Sequence, residues 1–244
     1  MKTNKERPIL FSTPMMQAIL EGRKTQTRRI VKPMAGKQSE WLTAEMITQS
    51  PKLTITKSHE GDGYGELGVQ MEHPKGGPLG WVKFPYGSIG DVLWVRETWA
   101  FIETAGDEPD GYLVYKASNA FAGKWRPSIF MPRAACRIKL EITDIKIERL
   151  KSITEADAIA EGAFFTDYGR ICFHNGSVSE VGDCPAPVLH HPLKNGWSLV
   201  KTTHPDQCLG SARSAFGNLW GKINGAESWE QNPFVWAITF KRIV

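Results

Sequence analysis

Cysteine is scarce: there are four in 244 residues, at positions 136, 172, 184 and 208. They are too few and too widely spaced to staple a chain of this length, which excludes a disulfide-built secreted scaffold. No apolar run approaches the roughly 18 residues a membrane span requires. The basic start (Lys2, Lys5, Arg7) is not followed by the apolar stretch of a secretory leader. A large charge imbalance is also missing. Thirty Lys and Arg stand against 26 Asp and Glu, a net charge of +4, so the chain is not an acidic or basic disordered tail. Nor is there a P-loop, a dinucleotide-binding glycine fingerprint, a GxSxG elbow or a zinc-deaminase signature. The expectation is a cytoplasmic monomer with no membrane contact and no cofactor.

Hydrophobic residues make up 41% of the chain, and the 23 glycines bring the apolar share to about half, the ordinary globular value. The length suits one generous core. Residues 8–33 open with a helix pattern: Thr13 can cap, Pro14 suits the first turn, and Gly22 suits a left-handed exit. Seven glycines between Gly61 and Gly80, with Pro74 and Pro78, predict loops or short hairpins and mark about 36–80 as an insertion. Strand patterns follow at Trp81–Phe84, Val92–Trp99 and Tyr112–Tyr115. A longer alternation runs through Ile138, Leu140, Ile142, Ile145 and Ile147, and its phase shift across Thr143 and Asp144 predicts a bulge. Ser152 and Glu155 have capping-box spacing ahead of a helix that Gly162 ends. Residues 163–208, broken by four prolines, read as a second irregular insertion. A helix from Ser211 to about Ile223 and a strand at 234–240 close the chain. The fold class is mixed α+β: a single domain over 1–244, a small β-barrel with flanking short helices and two irregular insertions.

The densest polar cluster is RKTQTRR, Arg23 to Arg29. Residues 1–35 carry eight Lys or Arg against two Glu, an excess larger than that of the whole chain. Such a concentration fits a phosphate-bearing partner or a merely solvated surface, and the interleaved threonines favour the first. In an ideal strand Lys24 and Thr27 face opposite ways, so a site using both requires a bend between them. Glu161 sits in the last turn of its helix, against the negative dipole end, where a salt bridge or a catalytic role would justify it. Glu97 and Arg96 alternate on a strand with apolar residues on both faces. One of them must pair inside or meet a ligand. Trp81, Trp125 and Trp197 have glycine or proline neighbours, and a ring there can stack a base beside Lys124, Arg126 or Arg133. The candidate metal ligands are Cys172, His174, Cys184, His190 and Cys208, but no CxxC pair anchors a zinc site and reduced thiols are expected instead.

PMMQAILEGRKTQTRRIVKP (14–33), GDVLWVRETW (90–99), RPSIFMPRAACRIKLEITDIKIERL (126–150), ITEADAIAEG (153–162) and WEQNPFVWAITF (229–240) together resemble the ASCH-domain family of the PUA-like superfamily. The resemblance is to its long phage and prophage members. It implies a PUA-like barrel whose cleft takes a modified nucleoside or single-stranded nucleic acid. In the compact amidohydrolases of N4-acetylcytidine in that family, a lysine, a threonine three positions on and a later glutamate act together. Matched motif by motif, these fall on Lys24, Thr27 and Glu161. The ligand-binding residues implied or suggested around them are Arg23, Arg28, Arg29, Arg96, Glu97, Trp125, Arg126 and Arg133. This chain is more than twice as long as those enzymes, and two alternatives stay open: a non-enzymatic RNA- or DNA-binding module, and a metal-independent ribonuclease.

Overall fold

The computed structural model describes residues 5–33, 42–58, 65–103, 111–174 and 181–244. Parts of both expected insertions (36–41, 59–64 and 175–180) lie outside the described residues. In chain order the elements are β1 (Glu6–Leu10), α1 (Thr13–Leu20), β2 (Gln26–Ile30), α2 (Ala44–Gln49), β3 (Leu53–Lys57), β4 (Leu67–Glu72) and β5 (Pro78–Lys83). They continue with β6 (Val92–Arg96), β7 (Trp99–Glu103), β8 (Gly111–Tyr115), β9 (Lys139–Arg149), α3 (Glu155–Ala160), β10 (Phe164–Arg170), β11 (Leu193–Ser198), α4 (Ala212–Asn224) and β12 (Phe234–Arg242).

The mixed α+β class holds, but the described strands do not close into a barrel. The main sheet has the order β1-β6-β9-β12-β2, with β1 and β2 as its two ends. β1 pairs with β6, not with the closing strand β12, which lies between β9 and β2. Across the gap Arg29 Nη2 on β2 donates to the Leu10 carbonyl of β1 at 2.7 Å. Three small sheets complete the fold: β3-β4-β5, β7-β8 and β10-β11. Among the described residues no helix is long and apolar enough to cross a membrane.

Side-chain alternation explains how the sheet buries both faces. Phe234, Trp236, Ile238 and Phe240 of β12 join one core, while Val235 joins another with Leu150, Ala158, Phe216 and Trp220. On β9, Leu140 and Ile142 share the first core with Ile145, which strict alternation forbids. The register slips between Thr239 and Phe240, so Asp144 and Ile142 face successive residues and Thr143 is the extra one. That bulge lets a single face stay apolar along the whole strand. The 36–80 stretch holds a short hairpin, β4-β5, as its glycines predict, and it extends into a third strand. β3-β4-β5 is an antiparallel meander, and its Leu53, Val69, Met71 and Val82 enter the main core beside Leu42 and Ile47.

Two helix starts differ from the expected ones. Ser12 precedes α1, placing Pro14 at its second residue, and Thr154 caps α3 through a reciprocal box with Asp157. The expected strand Val92–Trp99 is two strands in different sheets, because Glu97 and Thr98 turn the chain away from β9 toward the β7-β8 hairpin.

Candidate functional site

Helices α1 and α3 end alike, in a glutamate followed by a glycine of positive φ: Glu21 and Gly22 (+74°), Glu161 and Gly162 (+107°). The two exits pack against each other. The Thr25 N–H donates to the Ala160 carbonyl at 2.8 Å, and Arg23 Nη1 donates to the Gly162 carbonyl at 2.6 Å. A Cβ on Gly162 would lie 3.0 Å from the Ala18 Cβ and 3.4 Å from the Lys24 Cβ. Lys24 therefore follows the turn that ends α1 and lies just ahead of β2.

Lys24 is enclosed, and its Nζ donates to Glu161 Oε2 at 2.6 Å, to the Gln26 carbonyl at 2.7 Å and to the Glu161 carbonyl at 3.0 Å. Burial, the largest cause, pushes its pKa below the ordinary lysine value. Glu161 opposes this by charge and hydrogen bond, and the Arg29 and Arg28 charges add to the lowering. Arg28 is also buried. Its Nη1 lies 3.3 Å from Glu161 Oε1, and its Nε and Nη2 hold Glu148 Oε1 at 3.0 and 2.7 Å. Two buried cations and the Glu161 carboxylate thus share one dry network that reaches the half-buried Glu148.

The network borders a cleft of about 220 Å³ between the free edge of β2 and α4. Thr27, Arg28, Arg29 and Glu161 line one side, and Tyr86, Phe216, Leu219, Trp220 and Asn224 are among the residues of the other walls. Thr27 is buried, and among the described residues its Oγ1 has no hydrogen-bond partner. Trp220 Nε1 is likewise buried and unpartnered. A buried donor or acceptor left unsatisfied costs about 1–3 kcal/mol. Trp220 belongs to the core around α4 and also lines the cleft, a second role that carries no sequence signature. A second cleft of about 490 Å³, lined in part by Leu10, Ser12, Arg29, Tyr86 and Arg96, adjoins the first and shares Met15, Arg29, Tyr86 and Ile223 with it. Both clefts occupy the seam between β1 and β2.

Of the residues singled out in the sequence, Thr27, Arg28, Arg29 and Glu161 line this cleft, Lys24 is tied to it through Glu161, and Arg96 lines the adjoining cleft. The others go elsewhere. Arg23 is held by Glu21 and Gly162 and stacks on Phe164. Glu97 is fully buried and paired, but its partner is Arg137 at 2.8 and 2.9 Å, not Arg96, which stacks on Trp94 and donates to the Ile129 carbonyl. Arg126 lies over the Trp99 ring, and Arg133 pairs with Glu6 beside Trp94. Trp125 is half-buried and lines neither cleft.

The Cys/His region is a second cluster. Cys172, His174, Cys184 and His191 place their ligand atoms within 4.8 Å of one another. The histidine brought in is His191, not His190, which is exposed on the preceding 3-10 turn, and Cys208 lies 3.7 Å from the Thr202 hydroxyl instead. Comparison with protein families, with curated proteins and with solved structures finds no match to this chain.

Proposed function

We propose that the chain is a cytoplasmic, monomeric ASCH protein of the PUA-like superfamily that hydrolyses the exocyclic amide of an N4-acylated cytidine. The observation carrying this reading is the 2.6 Å Lys24–Glu161 contact beside a cleft that Glu161 shares with Thr27, whose hydroxyl has no hydrogen-bond partner among the described residues. A cleft of about 220 Å³ is smaller than the roughly 300–1,000 Å³ of most ligand pockets. It suits one flat base between Tyr86, Phe216 and Trp220, with the sugar toward the cleft that Arg29 and Arg96 line.

The chemistry follows from the buried pair. Three acceptors around Lys24 Nζ are the surroundings of an ammonium. Passing one proton to Glu161 leaves an amine and a carboxylic acid, an uncharged pair that burial favours. The amine takes the Thr27 proton as Oγ1 attacks the acyl carbonyl, and Glu161 protonates the departing exocyclic nitrogen. Cytidine leaves with its amino group restored and the acyl group stays on Thr27. Water then gives a proton to the Glu161 carboxylate and attacks the ester, while the Lys24 ammonium protonates the departing Oγ1. Acetic acid leaves, and the proton returns from Glu161 to Lys24.

The test is incubation of the purified chain with N4-acetylcytidine, related acylated bases and short RNA, with products read by mass. Deacetylated cytidine is expected. Intact acylated bases would overturn the reading. Shortened RNA would then assign the cleft to a metal-independent ribonuclease, and bound but unchanged RNA to a binding module.

A further inference from the structure

The hairpin β10-β11 carries at its connecting end a group that the cleft chemistry does not use. Cys172 follows β10, His191 precedes β11, and His174 and Cys184 come from the connection between them. Cys172 and His191 are fully buried. Neither ring nitrogen of His191 has a hydrogen-bond partner among the described residues, an arrangement that leaves a buried imidazole unsatisfied at both ends. The Sγ atoms of Cys172 and Cys184 stand 3.5 and 3.3 Å from His174 Nδ1, and the His174 and His191 rings meet edge to face at 5.0 Å.

The two sulfur–nitrogen separations match edges of a metal tetrahedron, and all four ligand atoms lie within 4.8 Å of one another. With Zn–S near 2.3 Å and Zn–N near 2.0–2.1 Å, a sulfur and a nitrogen on one zinc lie about 3.5 Å apart. A weak thiol–imidazole hydrogen bond does not explain why four such groups from three chain segments converge. Two thiolates and two imidazoles suit zinc among the common divalent metals, since calcium and magnesium require oxygen ligands. Four protein ligands also fill the coordination shell, which marks a structural site and not a catalytic one.

We infer that Cys172, His174, Cys184 and His191 form a structural site for one zinc ion that pins the connection of the β10-β11 hairpin. The bound ion would satisfy His191 through one ring nitrogen and hold a segment in which prolines exclude longer regular elements. The site shares no residue with the Lys24 cleft, so its fate and that of the hydrolase reading are independent.

The full chain purified without chelator is analysed for metal, and the metal-free chain is titrated with Co(II). The expected results are one zinc per chain and, with Co(II), the intense visible bands and sulfur-to-metal charge transfer of a tetrahedral two-sulfur, two-nitrogen site. Cys184→Ser and His191→Ala should each lose stoichiometric metal, while His190→Ala and Cys208→Ser keep it. Alkylation followed by mass analysis gives a reading that needs no variant: Cys172 and Cys184 should be shielded until a chelator is added. A chain without stoichiometric zinc and without tetrahedral Co(II) bands would overturn the inference. So would metal that survives both Cys184→Ser and His191→Ala.

Discussion

Lys24 Nζ lies 2.6 Å from Glu161 Oε2, and both side chains are almost wholly withdrawn from water, at 0% and 3% exposure. Two helix exits produce this contact, one from each end of a 137-residue separation. Desolvating a lysine and a carboxylate costs several kcal/mol per ion, which their attraction repays only when both remain. Glu161→Gln should therefore destabilise the fold by about 3–5 kcal/mol, the usual loss when one partner of a buried pair is removed. Lys24→Met combined with Glu161→Gln should lose less than the sum of the two single changes, with a coupling of about 0.5–3 kcal/mol. Urea unfolding of the four proteins measures it; strict additivity would mean that the two groups do not interact.

The lowered pKa of Lys24 has a definite sign in stability. Between its folded value and the ordinary value of 10.5, the unfolded chain holds a proton that the folded chain has shed. Stability due to this group therefore rises with pH through that window, and the cost of burying an ammonium is complete below it. Lys24→Met should remove that rising limb from the difference between the two pH–stability curves. In catalysis the pair must hold one proton, the one Glu161 passes to the departing nitrogen, so its loss from Lys24 should give kcat/KM an alkaline limb below the normal lysine range. Arg28→Gln removes a nearby positive charge, so it should move that limb to higher pH. An unmoved limb would assign it to another group.

Much of this arrangement was legible in the sequence, and what was not has physical reasons. Lys24 and Thr27 stand out in a basic tract interleaved with hydroxyls, Glu161 as a carboxylate at the negative end of a helix, their grouping comes from the ASCH resemblance, and the Thr143 bulge stands out because it interrupts a long alternation. The caps were ambiguous: Ser152–Glu155 and Thr154–Asp157 are overlapping frames with the same spacing, and the 3-10 turn at Leu150–Ser152 selects the second. His190 and His191 are neighbours, and only the 3-10 turn Val188–His190 decides which ring points inward. The glycines of the meander at 53–83 point to loops or short hairpins and not to three paired strands. Gly68, for example, is required because the Trp81 ring and the Val82 carbonyl lie where a Cβ would be. Ring closure was expected from strand count, but pairing partners depend on long-range packing that no local pattern encodes.

Glu97 gives a test of pairing. Its carboxylate is buried and held at both oxygens by Arg137, whose guanidinium also stacks on Tyr115 at 4.0 Å. Arg137→Ala leaves an uncompensated buried charge and should cost about 3–5 kcal/mol. Arg96→Ala, although adjacent in sequence, should cost less than half as much by thermal or urea unfolding. The reverse order would put the Glu97 partner at Arg96.

Gly162 has φ of +107°, a conformation other residues rarely adopt, and its neighbours leave a Cβ little room beside Ala18 and Lys24. Gly162→Ala should cost about 1–3 kcal/mol in backbone strain alone. It should also loosen the packing of the two helix exits, and so lower turnover at temperatures where the fold is intact. Turnover normalised to folded protein, read by circular dichroism, separates the two effects. Unchanged turnover per folded molecule would show that the site tolerates a displaced Glu161.

Thr27→Val separates chemistry from folding most cleanly. Valine keeps the shape of threonine and its β-branched fit to β2, but it removes an oxygen that is buried with no partner among the described residues. Losing a hydrogen-bonded hydroxyl destabilises a protein, whereas losing an unsatisfied one relieves a desolvation cost of about 1–3 kcal/mol. The variant should thus unfold at an equal or higher urea concentration than the parent. If Oγ1 is the nucleophile, the same variant should lose at least about 1,000-fold in deacylation, because no other group then carries the acyl intermediate. The combination of unchanged or raised stability with lost turnover is specific to a nucleophile held in readiness. A stable variant with full turnover would remove Thr27 from the reaction, and a variant that is both unstable and inactive would show that its hydroxyl serves the fold.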